Sequence, residues 1–244
     1  MLVWGGFSES RMQLYHRQGD AYLNTGGRYD PATDTWRDIT TNGAPSKRIY
    51  PAMVWTGREM ILWGGGNSTG GLNDGARYDP TSDSWKPMRS EGAPGPRIMP
   101  FAAWTGKEMV LWSGCSFDTN ANADPVYFQD GARYNPETDT WAPLNTLGAP
   151  KARSSTQAVW TGKEMLLWGG VNDTGTSGVT DPERYVGTGA GYNPVTDNWT
   201  EIPTRSTPPP RAGLAAVWTG EGLLVFGGYN GKHLNDTYYY SPKQ

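Results

Sequence analysis

One eleven-residue phrase recurs along this 244-residue chain, and it limits the possible folds more than any other feature. It reads WTGREMILWGG from Trp55, WTGKEMVLWSG from Trp104, WTGKEMLLWGG from Trp160 and WTGEGLLVFGG from Trp218, and the chain opens on half a copy, MLVWGG. The leading Trp of the full copies advances in steps of 49, 56 and 58 residues. A second marker, the Trp of YDPATDTW, YDPTSDSW, YNPETDTW and YNPVTDNW, falls at Trp36, Trp85, Trp141 and Trp199 and keeps the same steps. Two markers sharing one rhythm define a repeated structural unit, and a period of roughly 50 residues is that of a propeller blade.

Each unit divides into four short strands, A to D. Strand A is the run before the turn, such as TQAVW (Thr156 to Trp160). Its small residues suit an innermost strand, where the sheets crowd around the axis. Thr161-Gly162-Lys163 makes a tight hairpin in which Gly162 takes positive φ. Strand B, MLLWGG, is apolar at consecutive positions, as a strand covered on both faces must be. Strand C is GARYNP, and Pro136 with Thr138 and Asp139 turns the chain into strand D, TWAPL. The Trp residues, each able to bury ~150–250 Å², are expected to fill the wedges between blades. Composition agrees: 33 Gly, 19 Pro, 12 Trp and 13 Tyr describe many turns joining aromatic strands. No window of helical length carries apolar residues at i, i+3, i+4 and i+7 without an interrupting Gly or Pro.

The doubled glycine after strand B (Gly5-Gly6, Gly64-Gly65, Gly169-Gly170, Gly227-Gly228), the later Tyr (Tyr29, Tyr78, Tyr134, Tyr192) and the Trp beyond it resemble the kelch repeat over essentially the whole chain. The resemblance implies an all-β, kelch-type β-propeller of about five blades of four antiparallel strands. The expected organisation is one domain over 1–244, with units 1–40, 41–89, 90–144, 145–202 and 203–244. The first unit supplies strands B to D and the last A to C, so both terminal blades are incomplete and eighteen strands are expected. Two readings follow: a five-unit ring, or part of a six- or seven-bladed propeller whose open edges would favour self-association. Propellers of this type host enzymes, adaptors and lectin-like binders, so the fold alone does not give the function.

A net charge of -3, from 21 Lys and Arg against 24 Asp and Glu, provides no basic face for nucleic acid. No apolar run approaches the ~20 residues that cross a bilayer. The N-terminus lacks the basic-then-apolar pattern of a signal peptide, so no membrane insertion is expected and no compartment is indicated. The single Cys115 forms no internal disulfide and reads as a small buried hydrophobe beside the variable loops.

Strand direction puts the A–B and C–D turns on one face and the D–A connections and B–C loops on the other. The first face repeats its chemistry in every unit (TGRE, TGKE, TGKE; DPATD, DPTSD, NPETD, NPVTD), as scaffold turns do. The second differs from unit to unit, from GNSTGGLND in unit two to VNDTGTSGVTDPERYVGTGA in unit four. Irregular polar and aromatic loops on a rigid scaffold are where binding resides, which puts Asn67, Asn172, Asn230 and Tyr185 among the candidates.

Each D–A connection carries an arginine just before strand A: Arg48, Arg97, Arg153 and Arg211. In kelch domains, the resemblance implies, arginines here help bind acidic peptides or ligands. A planar guanidinium suits bidentate contact with carboxylate or phosphate. The same side chains can instead satisfy carbonyls or a carboxylate of the adjacent blade, and both readings stand. Tyr50 and Ser155, close by, mark Arg48 and Arg153 as the stronger candidates.

The leading expectation is a noncatalytic binding module for a protein segment or a small anionic or carbohydrate ligand, with no cofactor. The alternative is an enzyme on the same face. Its metal version would use His16 and His233, with Tyr15 and Asp236 nearby, as an oxidase or isomerase site. Its carbohydrate-active version would draw a carboxylate pair from Asp124, Asp130, Asp181 and Glu183. GxSxG, HExxH and P-loop signatures are absent.

Overall fold

The computed structural model describes residues 1–8, 22–116, 125–172, 184–203 and 207–242. Its described elements are all strands, arranged as a five-bladed β-propeller of small antiparallel sheets. Blade one is β1 (Leu2–Trp4), β2 (Gly26–Asp30) and β3 (Thr35–Asp38). Blade two is β4 (Ala52–Trp55), β5 (Met60–Trp63), β8 (Gly75–Asp79) and β9 (Ser84–Pro87), with a small hairpin of β6 (Gly66–Asn67) and β7 (Gly70–Gly71) in its B–C loop. Blade three is β10 (Phe101–Trp104), β11 (Met109–Trp112), β12 (Gly131–Asn135) and β13 (Thr140–Pro143). Blade four is β14 (Ala158–Trp160), β15 (Met165–Trp168), β16 (Gly189–Asn193) and β17 (Asn198–Ile202). Blade five is β18 (Ala215–Trp218), β19 (Leu223–Tyr229) and β20 (His233–Tyr240). The terminal blades thus have three strands each, as the repeat phase requires.

Strand A of each blade touches strand A of the next (β4 on β10, β10 on β14, β14 on β18), which makes these the inner strands. The apolar B strands β5, β11 and β15 are buried at every position. Their neighbours are the glycines that open strand C. A Cβ at Gly131 would lie 2.2 Å from the Leu111 carbonyl oxygen, and one at Gly75 2.4 Å from that of Leu62, so only glycine lets the strands approach this closely.

Four apolar clusters couple successive blades, one to two, two to three, three to four and four to five; among the described residues none joins five to one. Tryptophan fills the wedges, but not every tryptophan does so. The strand B and strand D rings pair across blades: Trp4 with Trp85 at 4.5 Å, Trp63 with Trp141 at 5.5 Å, Trp112 with Trp199 at 4.6 Å between centroids. Of the Trp residues that close strand A, Trp104, Trp160 and Trp218 pack partly buried against the inter-blade clusters, whereas Trp55 is 48% exposed. Trp36 is also exposed, because no described blade packs against the outer face of blade one.

The uniform face is hydrogen-bonded scaffold. Asp83, Asp139 and Asp197 adopt φ of 49–54° in the C–D turns. Each accepts the hydroxyl of its own blade's Tyr78, Tyr134 or Tyr192 at 2.6–2.8 Å and a backbone N–H (Thr40, Arg89, Asn145) from the preceding blade. Arg28, Arg77 and Arg133 likewise donate to the carbonyls of Pro80, Pro136 and Pro194 in the next blade.

Candidate binding face at the inner strands

The D–A connections and the B–C loops meet on one face because strand pairing continues past the named strands. Bridges join Ile49 to Gly66, Ile98 to Cys115, Ser154 to Val171 and Ala212 to Tyr229. At the same connections sit the four arginines, and of the two readings open for them their side chains are engaged with carbonyls and carboxylates of the protein. Arg48, Arg97, Arg153 and Arg211 are 0–1% exposed. Each Nη1 donates to the carbonyl that ends strand B of its own blade, at Gly64, Ser113, Gly169 and Gly227, over 3.0–3.1 Å. Each Nε donates to the carbonyl two residues upstream. The arginine backbone carbonyl in turn accepts the N–H of the second glycine of the preceding blade, at Gly6, Gly65, Gly114 and Gly170. One residue therefore pins its own blade through its side chain and the neighbouring blade through its backbone. A buried guanidinium, with five N–H donors and a fixed charge, is tolerated only with such partners.

A carboxylate completes three of the four sites, and it comes from the arginine's own blade rather than the adjacent one. Asp74 lies 2.9 Å from Arg48, Asp130 grips Arg97 through both oxygens at 2.7 and 3.1 Å, and Asp236 grips Arg211 through both oxygens. In blade four the same position, one residue before strand C, is Thr188. There Arg153 meets only the Thr188 carbonyl at 2.8 Å and hydroxyl at 3.3 Å.

Two residues beyond each arginine the chain turns left-handed, at Tyr50 (φ 53°), Met99 (51°), Ser155 (56°) and Gly213 (62°). The Met99 N–H donates to the Tyr50 carbonyl at 3.0 Å and the Gly213 N–H to that of Ser155 at 2.7 Å, so the turns link blade to blade. The Ser155 hydroxyl reaches the Met99 sulfur at 3.4 Å. Tyr50 and Ser155 were legible as candidates; Met99 and Gly213 were missed. The signal was present in the fourth copy, RAG, whose glycine aligns with Tyr50, Met99 and Ser155 and marks a positive-φ position.

The loop candidates do not all converge. Asn172 and Tyr185 line a pocket of about 590 Å³ together with Arg153, Lys151, Thr188 and Glu201. The Asn172 side-chain amide donates to the Ala152 carbonyl at 2.6 Å, and the Tyr185 ring meets Tyr229 edge-on at 6.0 Å. Asn67 instead closes a local turn on Thr69, and Asn230 donates to the Lys232 carbonyl within its own loop.

His233 opens β20, exposed, with its ring 5.2 Å from that of Tyr229. His16, Tyr15, Asp124, Asp181 and Glu183 lie outside the described residues. Among the described residues no group of three or more His, Cys, Asp and Glu side chains is placed to hold a metal ion. Asp130 and Asp236, named above as candidate carboxylate and metal-site neighbour, are both engaged by buried arginines. Cys115 is buried, and burial pushes its thiol up to about 11. No described helix is long and apolar enough to cross a membrane.

Radially repeated small antiparallel sheets, locked to one another at each D–A connection, define a repeat-built β-propeller. The model of the KLHDC2/KLHL20/DRC7 Kelch-repeats domain matches residues 1–170 and 125–244, and the chain belongs to this kelch-repeat family. It is 31% identical over 99 residues to Kelch domain-containing protein 2 of Homo sapiens and to that of Rattus norvegicus. Each alignment takes in 38% of the chain and 23% of the relative's length.

Proposed function

We propose that the chain is a noncatalytic kelch-type binding module that holds a protein segment or a small anionic ligand on the face made by the D–A connections and B–C loops. One observation carries this reading. Tyr50, Met99 and Ser155 hold left-handed backbone at a position where the same fold uses Gly213 without strain. A side chain in that region costs on the order of 1 kcal/mol or more, and such residues gather where a site presents side chains. The buried arginines then position the site, while Tyr50, Met99 and Ser155 contact the ligand, and Asn172 and Tyr185 of the blade-four pocket supply further contacts.

Glycine substitution separates presentation from scaffold. Peptides selected from a displayed library on the wild-type protein should lose most of their binding to the triple variant Tyr50→Gly, Met99→Gly, Ser155→Gly. Stability should change by less than about 1 kcal/mol per site, because relief of the left-handed strain offsets the freer unfolded chain. Undiminished binding by the triple variant would reject this face.

A further inference from the structure

Blade one meets blade two across a groove of about 600 Å³ whose lining includes Leu2, Arg28, Met53, Val54 and Trp55. Among the described strands β1 is the edge of its sheet, whereas β5, β11, β15 and β19 each have a strand A beside them. Met1 and Tyr29 exchange two N–H···O bonds, at 2.9 and 2.8 Å. Such pairs alternate along an antiparallel ladder, so the N–H and C=O groups of Leu2 and Trp4 point away from β2 and toward the open edge. An edge of this kind is a template for a further strand.

The opposite wall shows what covers such a groove elsewhere. Strand A turns alternate residues toward the blade before it: Ala102 and Trp104, Ala158 and Trp160, and Ala216 and Trp218 are partly buried there. The clusters they pack against contain strand A residues of that preceding blade, such as Val54, Ala103 and Val159. Met53 and Trp55 hold the same positions in β4, yet both are exposed and outside the cluster that joins blades one and two. Arg28 adds a charge to the lining. At its place on strand C in blades two and three, Arg77 lies 3.5 Å from Glu59 and Arg133 3.9 Å from Glu108, the glutamates that follow the A–B turn.

We infer that the inner edge of blade one is a docking site for an extended peptide segment with strand A chemistry: small and apolar residues in a strand, an aromatic residue at its end and a carboxylate just beyond. The segment adds antiparallel to β1 through Leu2 and Trp4, covers Met53 and Trp55, and brings its carboxylate to Arg28. The occupant is a single segment rather than a second copy, because the seat is one strand wide. It lies between the edge of β1 and β4, at the place where strand A of one blade touches strand A of the next.

The probe is a fluorescein-labelled peptide TQAVWTGKE, the strand A and turn of residues 156–164, followed by anisotropy. Saturable binding to the wild type is expected. Methylating the backbone nitrogen of its valine, the residue that pairs with Leu166 in blade four and faces Leu2 in the complex, should weaken binding at least about tenfold. Replacing the final glutamate by glutamine, and Arg28→Gln in the protein, should each weaken it roughly 2–5-fold, and both together no more than either alone. Trp55→Ala should weaken binding while moving the melting temperature by less than about 2 °C, since the ring is exposed. The triple glycine variant should bind this peptide as the wild type does, so that this site and the loop face are tested apart. Absence of saturable binding, equal binding of the N-methylated peptide, or indifference to both the glutamate and the Trp55 substitutions overturns the inference. So does a concentration-dependent dimer that excludes the peptide, since a second copy then holds the edge.

Discussion

Trp112 of blade three lies 4.6 Å from Trp199 of blade four, ring to ring, and both are buried while the indole N–H of Trp199 donates to the Asn145 carbonyl. Each wedge of the propeller depends on such a pair, so Trp199→Ala should destabilise the protein by about 3–5 kcal/mol. The exposed counterpart Trp36, with no preceding described blade to fill, should cost less than about 1 kcal/mol when changed to alanine. Urea denaturation of both variants checks the contrast.

Two glycines separate close approach from backbone strain. Gly131→Ala brings a Cβ within 2.2 Å of the Leu111 carbonyl oxygen, and backbone cannot yield cheaply, so loss of the folded protein or a drop of more than about 3 kcal/mol is expected. Gly213→Ala meets nothing within 4 Å and pays only for φ of 62°, about 1 kcal/mol. Melting temperatures of the two variants should differ accordingly.

Burial, then the hydrogen bond to Asp83, pushes the Tyr78 phenol up to about 12; burial and Asp139 or Asp197 raise Tyr134 and Tyr192 as well. The folded state therefore favours the protonated phenols. Their contribution is complete below the usual tyrosine value near 10 and is lost as pH rises through the folded value. Stability should fall above about pH 10, and the ultraviolet signal of these tyrosines should ionise together with unfolding. Tyr78→Phe should shift the alkaline midpoint; an unchanged titration would show that Tyr78 ionises in the native blade.

Cys115 should behave as an interior thiol. With its ionisation pushed up to about 11, it should react with a disulfide reagent at neutral pH far more slowly than a free thiol, until denaturant opens blade three. Fast labelling of the native protein would contradict the burial.

Much of the architecture was legible because it is written five times. Strand B is apolar at consecutive positions, TGKE-type turns separate it from strand A, and the Trp spacing sets the blade length; each is a local property that repetition makes plain. The site was legible only in outline. Alignment identified Arg48, Arg97, Arg153 and Arg211, but not that their charges turn inward, since a guanidinium on a long stem reaches either solvent or a carbonyl from the same backbone position. Tyr50 and Ser155 were found as neighbours of arginine, whereas Met99 was passed over because a methionine gives no polar cue.

By itself the sequence determined the repeat, the strand order within each blade and which face would vary, since these follow from periodicity and turn chemistry along the chain. Only the tertiary structure decided which tryptophans meet across a wedge, and that Asp74, Asp130 and Asp236 each neutralise an arginine from 25 to 33 residues away. It also decided that in blade four Thr188 stands beside Arg153 where the other three blades have the aspartate. Charge compensation in a buried site depends on distance through space, which spacing along a chain with loops of unequal length does not fix.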